Sequence, residues 1–345
     1  MPLEALRYDV TPVGLHYLLI HFDIPFVDSA AYELRVDGSV HKPLRLKLPG
    51  ITARPRKTLA VTMECAGNGR ARLSPRPMSQ PWLTEAVGTA EWTGTPLSAL
   101  LEEADAMEGA RTVVFGGLDR GVQGGVEQVY ERSLSWQDAT SPDVLLAYEM
   151  NGRPLLPQHG FPLRLIVPGW YGMANVKWLD SITVSNGEFR GYQQAVAYHF
   201  RLDAADPGTP VSRILPRALM VPPGIPDFMS RTRFAEPGRH AIEGRAWSGH
   251  ARIAGVDFSA DGGKTWVKTQ LQASSSAYAW SRWSHEWDAG RPGHYELCVR
   301  AIDVAGNIQP AEQSWNPEGV MNNAVQRVHV VVGEQLPKQP PMGTL

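Results

Sequence analysis

The chain has 345 residues, 43% of them hydrophobic and 20% charged, with a formal net charge of -2. That length suggests two domains, and the composition excludes an intrinsically disordered chain. The near-neutral balance gives no support for nucleic acid as a partner, and no apolar run approaches the roughly 20 residues of a membrane span.

In chain order, the start MPLEALRYDV lacks a basic region followed by an apolar stretch. No leader is read there, so a cytoplasmic location is expected, or a periplasmic one if a leader was removed. AYELRVDGSV predicts a strand running into a turn at Asp37-Gly38. PLSALLEEADA has apolar residues at helical spacing behind Thr95-Pro96, a helix entry. TVVFGG, DVLLAYEM and PLRLIV predict further strands, the second ending in an Asn151-Gly152 turn and the third at Pro168-Gly169. This is an α+β pattern rather than a regular βαβ repeat.

After about residue 205 the composition shifts. ADPGTPVSRILPRALMVPPGIP is rich in Pro and Gly and reads as a linker or an extended crossing segment. Beyond it, short aromatic and β-branched runs alternate with turn residues such as ADGG, which predicts a β-sandwich of immunoglobulin-like size. Trp280, Trp283 and Trp287 could fill its core or face a second subunit. The expected division is a domain over 1–215, a sandwich over 216–335 and a disordered tail over 336–345.

Two cysteines cannot build a disulfide framework or a four-thiolate cluster, and no Cys-x-x-Cys-His haem site is present. Cys298 sits in an alternating strand pattern, as a small buried hydrophobe would. Cys65 sits in TMECAGNGR, a glycine-bearing turn that lets a backbone approach a bound group. Arg70, five residues on, could stabilise its thiolate, the form that ligates metal. On these residues alone, an inert buried cysteine beside a tight turn stays open. The stretch from His159 to Leu179, HGFPLRLIVPGWYGMANVKWL, offers His159, Arg164 and Lys177. These could bind phosphate or could equally be an ordinary loop histidine and solvent-facing cations.

CAGNGR, LLAYEMNGRPL, HGFPLRLIVPG and VKWL, in this order, resemble the molybdopterin domain of the sulfite oxidase family. SADGGKTW, WNPEGV and QRVHV resemble that family's carboxy-terminal dimerisation domain. The resemblance covers about residues 10 to 333. It implies a mixed α/β molybdopterin-binding domain followed by an immunoglobulin-like sandwich, without a haem domain. It further implies molybdenum and molybdopterin as cofactor, with Cys65 as the metal's thiolate.

By the same resemblance, His21, Asp119, His159, Arg164 and Lys177 hold the pterin and its phosphate. Arg70, Trp82, Tyr198 and Arg252 shape the substrate pocket. The implied reaction oxidises sulfite to sulfate by oxygen-atom transfer, and electrons pass to an external acceptor such as a cytochrome c. The implied assembly is a homodimer. Alternatives are reduction of nitrate or a sulfoxide on the same scaffold, or a non-catalytic scaffold protein. One departure bears on the substrate. Where many family members read Arg-Asn-His, this chain has Leu19, Ile20 and His21, so one substrate-binding cation is missing, with Arg233 a conceivable replacement.

Overall fold

Leu34 and Val36 alternate with exposed or half-buried neighbours, and they form the inner face of the strand Glu33–Gly38. In the computed structural model, which describes residues 1–203, 205–274 and 276–333, that strand lies within a five-stranded sheet. Its order is Leu44–Lys47, Glu33–Gly38, Leu179–Ser185, Thr112–Gln123 and Val126–Ser135. Glu33–Gly38 and Leu179–Ser185 are parallel, and the other pairs are antiparallel. A second sheet joins Lys57–Glu64, Val87–Pro96, Leu145–Met150 and Arg153–Pro154, with Arg164–Ile166 on Leu145–Met150.

The predicted hairpin at Asn151-Gly152 forms with both residues at positive φ, 52° and 72°, as a tight two-residue turn requires. The predicted helix forms as Leu97–Ala104 and buries Leu97, Leu100, Leu101 and Ala104. The other α-helices, Leu48–Thr52 and Trp136–Ala139, are shorter still. Strand therefore supplies most of the frame, with less helix than a mixed α/β reading anticipates.

The chain divides into two compact units, and both are discontinuous in sequence. The first holds Val10–Ile214 and Ser314–Asn322; the second holds Pro2–Asp9, Leu215–Gln313 and the chain from Asn323. A single cut near residue 215 cannot express either exchange. The tail expected over 336–345 lies outside the described residues.

The second unit is a two-sheet sandwich. One sheet is Arg217–Met220, Gly238–Trp247, Ser281–Ala289 and Gln270–Gln272. The other is Ile225–Pro226, Arg233–Ala235, Gln326–Val332, Gly293–Asp303, Ile253–Ser259 and Val267–Lys268. Its core takes Ile242, Trp283 and Trp287 from the first sheet and Phe258, Leu297 and Val330 from the second. Trp280 is buried as well, its indole N–H donating to the Asp9 carbonyl at 2.8 Å. Part of the expected linker is core. Arg217–Met220 is a wholly buried strand on Gly238–Trp247. A four-residue strand flanked by prolines is too short to show a period.

Candidate active site

The strand Lys57–Glu64 runs from half-exposed residues into a fully buried end at Val61, Thr62, Met63 and Glu64. It delivers Cys65 to the interior of the first unit. There the Cys65 N–H still donates to the Ala86 carbonyl (2.9 Å), extending the ladder, while its own carbonyl accepts from Asn68 N–H (2.9 Å) and turns the chain. The Asn68 side chain, 1% exposed, braces this turn: its amide donates to Glu64 Oε1 (2.9 Å) and the Thr84 carbonyl (3.1 Å), and its oxygen accepts from Ala86 N–H (3.2 Å).

Arg70 closes the turn. Its Nε donates to the carbonyls of Glu318 and Gly319 (both 3.1 Å), and Nη1 donates to that of Gln80 (3.2 Å). Any side chain at Gly67 or Gly319 would strike it. A Cβ at Gly67 would lie 2.5 Å from the guanidinium, and one at Gly319 2.7 Å from the Arg70 Cγ. Among the described residues Arg70 has no carboxylate partner, so a buried positive charge is left without a counter-ion. Burial pushes the Cys65 thiol pKa up; the Gly67 N–H, the Arg70 charge and the Trp82 indole oppose it.

Two chambers meet at Cys65. Leu19, His21, Cys65 and Tyr198 line both. The inner chamber, about 680 Å³, is otherwise walled by residues such as His16, Asp119, His159, Arg164 and Lys177. The outer, about 1210 Å³, takes in Arg70, Trp82, Tyr192, Arg201 and Glu318.

The inner wall is rich in cations and poor in acids. Arg164, 4% exposed, donates to the carbonyls of His159 (2.9 Å) and Asn175 (3.2 Å) and stacks 4.6 Å from the Trp92 ring centre. Burial lowers its pKa to about 10. Lys177 donates to the Leu19 carbonyl at 2.7 Å, and burial, then Arg164, bring it down to about 7. Burial holds His16 at about 3 and His159 at about 4, so both rings are neutral near pH 7. Asp119, the chamber's one acid among the described lining residues, is raised by burial to about 6. A register shift between Gly116 and Arg120 marks its place in the strand Thr112–Gln123.

Tyr198 follows a π-helical turn, Gln193–Ala197. Burial and the nearby Cys65 push its phenol pKa up, and among the described residues its hydroxyl has no hydrogen-bond partner. The Trp82 indole N–H likewise lacks a partner of ordinary geometry and favours the ionised Cys65 thiol. His21 Nε2 meets Gln123 Oε1 at 2.8 Å.

Nine of the ten residues singled out in the sequence thus line the two chambers. Arg252 is not among the residues that line either chamber. It lies exposed in the second unit, where it lines a separate cavity of about 420 Å³ with Trp247, Ser248 and Ser281. Arg233, the conceivable replacement cation, pairs with Glu4 at 3.2 Å in that unit. Sequence reading missed His16, Met63, Tyr130 and Asn175 on the inner wall. His16 lies five residues before His21 in HYLLIH, and that recurrence was the available signal.

Comparison with known proteins agrees with this arrangement. The family model for the oxidoreductase molybdopterin binding domain matches residues 21–193, and that for the Mo-co oxidoreductase dimerisation domain matches residues 226–333. Sulfite oxidase of Gallus gallus is 35% identical, over 94% of this chain and 73% of its own length. Sulfite oxidase of Arabidopsis thaliana is 35% identical, over 94% and 88%. The chain belongs to the sulfite oxidase family. Nitrate reductase [NADH] 1 of Oryza sativa subsp. japonica is also similar, at 32% identity over 96% of this chain but 39% of its own length. Among solved structures, the sulfane dehydrogenase SoxCD from Paracoccus pantotrophus superposes with a TM-score of 0.82 at 27% identity, covering 95% of this chain and 82% of that one.

As a member of that family, the chain is a molybdopterin-dependent oxidoreductase, and its second domain is of the immunoglobulin-like dimerisation type. The site fits the cofactor on its own terms. Among the described residues, His16 Nε2, Asp119 Oδ1 and Arg164 Nε are buried and without partners, which calls for a polar guest. The uncompensated cations suit a phosphate. No three His, Cys, Asp or Glu side chains cluster as a metal site among the described residues. A metal held by Cys65 would therefore need a cofactor to supply its remaining ligands.

Proposed function

We propose that this enzyme oxidises sulfur oxyanions, with sulfite to sulfate the simplest case, and passes the electrons one at a time to an external acceptor such as a cytochrome c. The observation that carries this reading is the single thiol shared by two chambers, one cation-rich, the other holding a buried arginine without a carboxylate partner among the described residues. His21, Asp119, His159, Arg164 and Lys177 would hold the pterin and its phosphate, and Cys65 would hold the metal. The bound molybdenum cofactor supplies oxygen-atom transfer and a two-electron redox change, which no side chain here can provide.

The chain's own residues do the rest. Arg70 binds the substrate anion with a guanidinium already fixed by three carbonyls, so little reorganisation is needed. Trp82 walls the pocket and orients the thiol. Tyr198 offers a hydroxyl donor to a substrate or product oxygen at the junction of the chambers. Arg252 lines neither chamber and is given no step.

We also propose that the unit built from Val10–Ile214 and Ser314–Asn322 is an α+β catalytic domain, and that a homodimer forms through the sandwich. No helix of the described residues is long and apolar enough to cross a membrane. A second reading, reduction of nitrate or a sulfoxide, is favoured by Leu19 and Ile20 where the family resemblance anticipates Arg and Asn. Steady-state assays of the molybdenum-loaded enzyme separate the two. Sulfite-dependent reduction of cytochrome c or ferricyanide is expected; reduction of nitrate or methionine sulfoxide without any sulfite oxidation would refute the proposal.

A further inference from the structure

The outer chamber is larger and less charged than a bare sulfite ion requires. The space it leaves for a guest is about 450 Å³, within the roughly 300–1,000 Å³ in which proteins enclose drug-sized ligands. Leu19, Ile20, Phe22 and Trp82 add an apolar stretch to a lining that is otherwise largely polar. Its rim carries Met78, Val122 and Val196, all exposed. Apolar side chains left in water around a cleft mark a surface that a guest covers.

The charges can be counted. Two guanidinium groups reach the chamber. Arg201 is neutralised by Glu318, with Nε at 2.9 Å from Oε1. Arg70 has carbonyl partners alone. His21 is kept below its ordinary pKa by burial and is neutral near pH 7. Lys177 faces the inner chamber. One unmatched positive charge therefore awaits the substrate. A monoanion balances it. A dianion would bring an excess charge into a partly desolvated site, and a neutral sulfoxide would leave Arg70 unmatched. Nitrate balances the charge but leaves the apolar wall bare.

We infer that the outer chamber takes an organic sulfinate, R–SO2−, in preference to the sulfite dianion, with Leu19 as the residue that sets this preference. The inference rests on the oxidation reading above and narrows its substrate class. The balanced step is R–SO2− + H2O → R–SO3− + 2H+ + 2e−. One sulfur–oxygen bond forms, both O–H bonds of water break, and the protons go to solvent. Two equivalents of a one-electron acceptor, a ferric haem protein or ferricyanide, take the electrons. An arginine at residue 19 would add a second cation and suit a dianion, whereas Leu19 gives the R group an apolar wall.

The test compares kcat/KM of the holoenzyme for benzenesulfinate, methanesulfinate and sulfite, with ferricyanide as acceptor at fixed ionic strength. It is joined by calorimetric binding of benzenesulfonate and sulfate to the resting holoenzyme, which needs no turnover. Benzenesulfinate is expected to exceed sulfite by about tenfold, as burial of an aromatic ring warrants, with methanesulfinate between. Benzenesulfonate should bind tighter than sulfate. Leu19→Arg should reverse both orders. Sulfite as the best substrate and sulfate as the tighter ligand would overturn the inference while leaving the oxidation reading intact. Failure of the enzyme to oxidise any of the three anions would remove both. If Leu19→Arg does not fold, the wild-type turnover and binding comparisons still decide the question.

Discussion

Arg70 and Lys177 are both buried cations, and removing them should have opposite signatures. Arg70 has no carboxylate partner among the described residues, so its charge is available to a substrate anion. Arg70→Met should cost about 1.5–3 kcal/mol in kcat/KM, roughly ten- to a hundredfold, and chiefly through KM, the range of a charge-assisted hydrogen bond. Molybdenum content should change little; an unchanged KM would remove Arg70 from the substrate pocket. Lys177 has a folded pKa of about 7, below the 10.5 of an exposed lysine. The cost of burying its charge is therefore fully present below pH 7 and fades as pH rises toward 10.5. Cofactor-free Lys177→Met should melt about 2–4 °C higher than the cofactor-free parent at pH 6, with the gap closing at alkaline pH, yet retain less cofactor. Thermal melts across pH and metal analysis check both arms. These two residues were legible in the sequence because each sits beside a glycine- or proline-marked turn within a recognisable motif. The buried Arg132, whose guanidinium lies 5.8 Å from the Tyr198 ring, was not, because its partners Gln193 and Val211 are 61 and 79 residues away.

At the level of elements, the turn from Glu64 to Arg70 is braced by the side chain of Asn68. Asn68 joins Glu64, Thr84 and Ala86 in one buried network. Asn68→Leu strands these partners, and it should lower stability by about 1–3 kcal/mol and reduce molybdenum retention. A variant with unchanged unfolding midpoint would show that the turn holds itself. Strands with period-two alternation, such as Glu33–Gly38 and Gln326–Val332, were readable because one face alone is buried. Arg217–Met220, buried throughout, offers no alternation, so its prolines dominated the reading. The return of Ser314–Asn322 to the first unit was equally hidden. It rests on contacts of long sequence separation, such as Met321 N–H to the Ala66 carbonyl (2.8 Å) and the Asn322 amide to the Gly69 carbonyl (2.7 Å).

For the whole molecule, the match of residues 226–333 to a dimerisation domain leads us to expect a particle of twice the 37.9 kDa chain mass by light scattering at micromolar concentration. A single-chain mass would contradict the proposed homodimer. The tryptophans considered for that interface, Trp280, Trp283 and Trp287, are buried within the chain, so other residues must form it. The central claim concerns the sulfur of Cys65, and X-ray absorption at the molybdenum edge tests it most directly. The parent enzyme and a Cys65→Ser variant, both loaded with cofactor, should differ by one sulfur ligand, and the variant should not oxidise any sulfur anion. Identical sulfur coordination in the two proteins would contradict the account.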